Sequence, residues 1–264
     1  MQPDPLQTPK VLLWHDLTFG GRLDEASAAR RFDRQLERIA SSGLGFATMD
    51  AFIDGRLGTR NAIVTFDDGL RSFRDVAFPV LERHGVRATL FVVSTFAEQT
   101  GPGGPFLSWS EVRDLAKAGV DIGCHAATHV PLNEIPAERM LDEIADPTRR
   151  FREEGFEPTV FAYPFGRYDE SVKKAVAAAG YRAAFTVMKG GAGRFEIRRR
   201  LLTGAEGASR LALLLSDGFF DVRDGARRFV PKRLLKQENP IAPSRWGAEG
   251  FGPAANRSTA RTDR

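Results

Sequence analysis

Four histidines stand in the chain, and three of them occupy or follow the ends of short apolar runs. VLLW (11–14) leads into His15-Asp16, NAIVTF (61–66) into Asp67-Asp68-Gly69, and VDIGC (120–124) into His125, with His129 four residues on. Imidazole and carboxylate are ligands for divalent ions, and one Asp with two His leaves a position open for water, the pattern of a catalytic rather than a closed structural site. In an extended strand His125 and His129 would stand ~13 Å apart. In a single helical turn they share one face, so Ala126–Thr128 must turn if both are to reach one ion. Adjacent strand residues point to opposite faces, but a turn permitted by Gly69 lets Asp67 and Asp68 converge. One carboxylate can then bind metal while the other stays free as a base. A water on a metal, a free carboxylate and a separate histidine acid make up the equipment of a metal hydrolase. The fourth histidine, His84, precedes Gly85 at the end of a helical pattern and reads as an ordinary helix-terminal residue.

The elements that position these residues alternate. Helical spacing covers 26–43, 72–85 with Pro79 as a kink, 108–119 with Ser110 as a candidate N-cap, 137–155 with a break near Pro147, and 170–180. β-rich runs lie between them at 88–93, 159–164 and 181–187. Strand and helix in alternation predict an α/β fold with a parallel sheet. The number of βα units favours closure into a barrel, where active residues sit at the C-terminal ends of strands.

Composition narrows the class. The chain has 264 residues, ample for one large core, with 38 basic and 34 acidic side chains. The charges are interspersed, so the net +4 reads as a mixed solvated surface and no nucleic-acid partner is expected. The single cysteine, Cys124, excludes an intrachain disulfide and is expected to be a small buried strand residue. No run approaches the ~18 apolar residues of a membrane span. MQPDPLQTPK lacks the apolar core of a secretory signal. The expectation is a cytoplasmic protein, or an exported one if a leader precedes this sequence. Residues 1–10 read as a flexible lead-in, 11–232 as the domain, and 233–264, rich in Pro, Gly, Ala, Ser and Arg, as a disordered tail. Nothing in the sequence fixes an oligomeric state.

Three longer segments sharpen the reading. TFDDGLRSFRDVAFPVLERHGVRATLFVV, LSWSEVRDLAKAGVDIGCHAATHVPL and FAYPFGRYDESVKKAVAAAGY resemble, in order, the three signatures of the NodB-homology polysaccharide deacetylases, carbohydrate esterase family 4. The resemblance implies a distorted (β/α) barrel of about seven parallel strands. It implies Asp67 as catalytic base, Asp68, His125 and His129 as ligands of a divalent metal, usually zinc, and a backbone N–H at Phe165 beside the oxyanion. The arginine that often opens the third signature and orients the base is replaced by Phe161. Arg199, within Ile197–Leu201, is the candidate substitute. The residue after His125 is Ala126, where the family commonly has Ser or Thr. No histidine follows His129, so the family's usual C-terminal acid is missing. VLLWHDL resembles a permuted branch that includes the deacetylases of poly-N-acetylglucosamine, in which the histidine ending the first strand is the acid. His15 fits that role, with Asp16 as its candidate orienter.

The implied activity is hydrolysis of N-acetyl groups on an amino-sugar oligo- or polysaccharide. Trp109, Leu132, Tyr163 and Phe165 are candidates for the walls that hold the sugar or its acetyl group. Two alternatives stay open: a hydrolase of the same fold acting on a small ester, imide or ureide, and a carbohydrate-binding relic without catalysis.

Overall fold

A computed structural model of the chain describes residues 9–101, 103–191 and 193–220. The expected tail and nearly all of the expected lead-in lie outside these residues. The elements run β1 (Lys10–Trp14), α1 (Glu25–Ser41), β2 (Gly45–Ala47), α2 (Met49–Ile53), β3 (Asn61–Phe66), α3 (Phe78–Arg83), β4 (Ala88–Val92) and α4 (Ser94–Gln99). They continue with α5 (Trp109–Lys117), β5 (Asp121–Cys124), α6 (Ala137–Glu153), β6 (Val160–Ala162), α7 (Glu170–Ala178), β7 (Ala183–Thr186), β8 (Ile197–Arg198), β9 (Arg200–Leu201) and α8 (Ala208–Leu215). This framework lies in the compact unit that ends at Asp217.

The strands are parallel and follow the order β8-β7-β6-β5-β4-β3-β1-β9, with β2 paired to the start of β3. The two ends of this path are one stretch of chain. Ile197 and Arg198 register with Phe185 and Thr186 of β7. Two residues later, Arg200 and Leu201 register with Leu12 and Leu13 of β1. Residues 197–201 therefore bridge the first and last strands and nearly close the sheet into a barrel. The path holds eight strands. They make seven staves when β8 and β9 are counted as the single stretch they are, which is how the expected seven strands arise.

Two layers of apolar side chains support the ring. Inside, Val11, Ile63, Phe91, Val160, Ala162, Ala183 and Phe185 pack with Met49 and Ile53 of α2. That helix sits where the strands begin, since Asp54 at its C-terminal end accepts from Arg182, the residue just before β7 (2.6 Å). Neither β2 nor α2 was expected from the sequence. They are three and five residues long, too short for periodicity to register. On one outer side an aromatic cluster joins the sheet to α1. Trp14 stacks on Phe66, and Phe32 meets both edge-on. The Trp14 indole N–H donates to Gln35, whose amide donates to Glu206. The strand that carries His15 is thus tied to α1 and to the turn after β9.

The helix boundaries correct two details. Ser108, not Ser110, caps α5, through a reciprocal capping box with Glu111. Pro147 does not break α6, which runs unbroken from Ala137 to Glu153. A proline inside a helix leaves the carbonyl four residues back without its donor. Here that carbonyl is Glu143's, and it accepts the backbone N–H of Ala127 instead (3.1 Å). Pro79 lies within one helical run from 71 to 83 and directly follows a π-type turn at Phe73–Ala77, a local irregularity of the kind that accompanies a proline in a helix.

Gly123 shows how full the interior is. A Cβ placed there would lie 2.5 Å from Phe91 Cδ1 and 3.1 Å from Val160 Cγ2, and Phe91 is wholly buried. Its ring has nowhere to go, so Gly123→Ala is expected to destabilise the fold by about 1–3 kcal/mol. Urea unfolding measures it, and an unchanged midpoint would contradict this packing.

Candidate active site

The side chains singled out at the strand ends meet on one rim. β1 ends beside β3, and the Asp67 N–H donates to the Trp14 carbonyl (3.2 Å). His15 Nε2 consequently comes within 3.8 Å of Asp67 Oδ2. β5 delivers His125 on the far side of β4, and its Nε2 lies 3.7 Å from the same oxygen.

Backbone conformation does the rest. Asp68 (φ 72°), Ala126 (φ 63°), His129 (φ 58°) and Phe165 (φ 57°) are all left-handed, and among the described residues the only other non-glycine of that kind is Phe19. Left-handed backbone costs an L-residue roughly 1–2 kcal/mol, less for Asp. Such strain collects where the surrounding structure imposes a geometry that function requires. Asp68 with Gly69 (φ 69°) turns the chain off β3 at once, and the two neighbouring carboxylates part company. Asp67 stays in the barrel and Asp68 swings to the histidines. Ala126 and His129 fold the loop after β5 back, so that His129 rejoins His125 with ring centroids 4.8 Å apart.

Asp67 is 3% exposed and Arg199 1%. Arg199 Nη1 donates to Asp67 Oδ1 (2.7 Å) and Nη2 to Oδ2 (2.6 Å), a two-point grip. The guanidinium lies over the Phe91 ring, 5.1 Å from its centroid. Burial alone would raise the Asp67 pKa. The charge of Arg199, then that of His125, outweighs it and brings the carboxyl down to about 2. Arg199 is the residue between β8 and β9, where the closing segment leaves β7 for β1. Its N–H still donates to the Thr186 carbonyl (2.8 Å). Barrel closure and the orientation of Asp67 are one event.

Asp68, His125 and His129 offer ligand atoms that all lie within 4.8 Å of one another. Asp68 Oδ1 is 3.5 Å from His125 Nε2 and 3.4 Å from His129 Nε2. A tetrahedral ion with bonds of about 2.0–2.2 Å needs its ligands about 3.3–3.6 Å apart. His125 Nδ1 is 2.7 Å from the Ala162 carbonyl, so Nδ1 carries the proton and the Nε2 lone pair faces Asp68, as a metal-binding imidazole requires. Burial lowers the pKa of both histidines to about 4 and keeps them neutral. It also raises that of Asp68, whose buried Oδ1 has no hydrogen-bond partner. An anionic oxygen without a donor, beside two lone pairs, is a site that wants a cation. The donor set fits a divalent ion.

Other expected residues are placed differently. Trp109 is buried at the start of α5, edge-on to Phe151 at 5.0 Å. It packs α5 against α6 and cannot be a sugar wall. Tyr163 is wholly enclosed. Its ring stacks on Tyr168 and its hydroxyl donates to the Phe195 carbonyl, so it too belongs to the packing. Leu132 is 1% exposed and offers a ligand no surface. Phe165 remains at the rim, half-buried, its ring 4.7 Å from that of His129. Phe96 flanks His129 on another side at 6.3 Å and was missed, since its run, STFAEQ, carries no motif. Asp16 does not reach His15. Its carboxylate accepts from the Thr18 N–H and hydroxyl and from the Gly20 N–H. Cys124 is buried, and burial lifts its thiol to about 12, which leaves it inert.

The family model described as polysaccharide deacetylase matches residues 54–184. YxkH of Bacillus subtilis, a protein named for that same family, is 26% identical over 196 residues, 72% of this chain and 68% of YxkH. Among solved structures, the Streptococcus pyogenes deacetylase PplD in complex with acetate superposes with a TM-score of 0.69 at 20% identity, covering 81% of this chain and all of PplD. IcaB from Ammonifex degensii gives 0.66 at 23% identity, covering 80% and 98%. The structural likenesses establish the shared fold.

The Asp67–Arg199 pair generates a prediction. Arg199→Met leaves a buried carboxylate without its partner, and the expected loss at pH 7 is roughly 3–5 kcal/mol. Because the folded pKa of Asp67 (about 2) lies below the ordinary ~3.9, the pair stabilises above that ordinary value and less as pH falls towards the folded one. The deficit of the variant should therefore narrow in urea unfolding repeated from pH 7 towards pH 3. A deficit that is small, or constant with pH, would contradict the pairing.

Proposed function

We propose that this chain, which belongs to the polysaccharide deacetylase family, hydrolyses N-acetyl groups on an N-acetylglucosamine-type oligo- or polysaccharide, with zinc as its ion. One observation carries the reading. Asp68, His125 and His129 converge as a metal-ligand set, and beside them stand a second carboxylate locked by Arg199 and an imidazole 3.8 Å from it. Two imidazole nitrogens and one carboxylate, with a position to spare, suit zinc in its catalytic form. A divalent ion held there supplies Lewis acidity, which polarises the acetyl carbonyl and acidifies water.

The chain's own groups account for the remainder. Asp67 is ionised throughout the neutral range and accepts the proton of the attacking water. Arg199 keeps that carboxylate in one rotamer and one charge state. The Phe165 N–H donates to the carbonyl oxygen as negative charge gathers on it. His15 is one-fifth exposed (19%), so it can exchange protons with solvent, and it protonates the departing amine. The half-buried rings of Phe165 and Phe96 border His129 and give the acetyl group or the sugar face an apolar contact.

The direct test is acetate release from a panel of N-acetylated amino-sugar oligomers set beside small esters, imides and ureides. Release from the oligomers is expected. Turnover confined to the small substrates would replace the reading with that of a small-molecule hydrolase. Asp68→Ala and His129→Ala should lose bound metal, since each removes one of three ligands. Asp67→Asn is nearly isosteric and should retain metal while losing most of kcat. A metal-free Asp67→Asn would reverse the two aspartates.

His15 is tested by the leaving group. An amide nitrogen must be protonated as it departs, and a positioned acid contributes ~10²–10⁴-fold. A phenolate leaves without such help. His15→Ala should keep its metal, lose about that factor on the N-acetylated oligosaccharide, and lose far less on an activated aryl acetate. Equal losses on the two substrates would remove His15 from the role.

A further inference from the structure

The loop that carries the second histidine is held by a residue of α6. Between His125 and His129 the backbone twice enters the left-handed region, at Ala126 and at His129, and such a loop keeps its shape only if other groups impose it. It is gripped from two sides. From α4, the Thr95 N–H and hydroxyl both donate to the Ala127 carbonyl (3.1 and 2.7 Å). From α6, Glu143 takes up three donors. Its main-chain carbonyl, left without a helical donor by Pro147, accepts the Ala127 N–H. Its carboxylate accepts the Thr128 N–H at 2.8 Å and also the Thr128 hydroxyl.

Glu143 is 4% exposed. Burying a carboxylate is costly, and the two donors of Thr128 offset part of that cost, so the carboxylate and the loop hold each other in place. A groove of about 640 Å³ between α4 and α6 borders Ser94, Thr95, Thr128 and Glu143 but none of the metal-ligating residues. The clamp therefore stands behind the loop rather than in the site. Resting on the metal-site reading above, we propose that Glu143 is a positioning residue: it sets the approach of His129 to the ion by fixing the main chain at Ala127 and Thr128, and it touches neither ion nor substrate.

The test compares Glu143→Leu with Glu143→Gln, using cobalt(II) as the probe ion in the full-length protein. Leucine has a similar size and removes both side-chain acceptors. Glutamine restores the clamp, because its carbonyl accepts the Thr128 N–H while its amide donates to the Thr128 hydroxyl. Affinity is measured by competition with a chelator, and the visible absorption of bound cobalt reports coordination geometry. Circular dichroism and thermal midpoint of the metal-free forms check the fold. The expected result is a folded Glu143→Leu that binds cobalt about 10–100-fold more weakly with an altered spectrum, and a Glu143→Gln that binds as the parent does. Equal affinity in Glu143→Leu and parent overturns the inference and leaves the metal site standing. A Glu143→Gln as impaired as Glu143→Leu also overturns it, because the clamp would then not be what matters. A parent that binds no cobalt overturns both this inference and the metal reading.

Discussion

The two-point ion pair between Arg199 and Asp67 is the interaction on which the rest of the structure depends. Both side chains are almost fully buried, and neither charge is tolerable there without the other. The pair joins the end of β3 to the stretch that completes the barrel, so the sheet closes around it. It also decides which of two adjacent aspartates is available for what. With both oxygens of Asp67 held by the guanidinium, Asp68 is the carboxylate with an oxygen left unbonded between His125 and His129. A left-handed turn at Asp68 and Gly69 separates the two across a single peptide bond.

The other constraint is the folding of short loops into disfavoured backbone. Asp68, Ala126, His129 and Phe165 all follow the ends of strands; Asp68 and the Phe165 ring lie against His129, and Ala126 turns the loop that carries it. The barrel bears this strain because its interior is full. Phe91 and Phe185 fill the middle, and Gly123 is a glycine because Phe91 occupies the place of its side chain. Rigid packing below and strained loops above are complementary. The first allows the second to persist.

Much of this was legible in the sequence, for identifiable reasons. His15, Asp67 and His125 end or follow β-rich runs, and a parallel sheet must bring such ends to one edge. Arg199 was the candidate from a three-arginine stretch, and its hydrogen bonds to Asp67 depend on how β8 and β9 close the barrel, which periodicity does not show. The aromatic residues misled. Trp109 and Tyr163 have the composition of a sugar wall and of a core alike, and burial alone tells them apart. Phe96 had no motif around it. Pro147 looked like a helix break because the sequence cannot show that Ala127 donates to the carbonyl it frees. Glu143 was invisible for the same reason, as its partner lies 15 residues away on a loop whose path depends on the fold.

Metal and acid–base groups are claimed to act as one unit on an acetylated amino sugar. Chelation tests that claim most directly. Purified protein should release acetate from an N-acetylglucosamine oligomer, fall to background when its metal is stripped by a chelator, and recover when about one equivalent of zinc per chain is returned. Acetate release that survives complete removal of metal would contradict it.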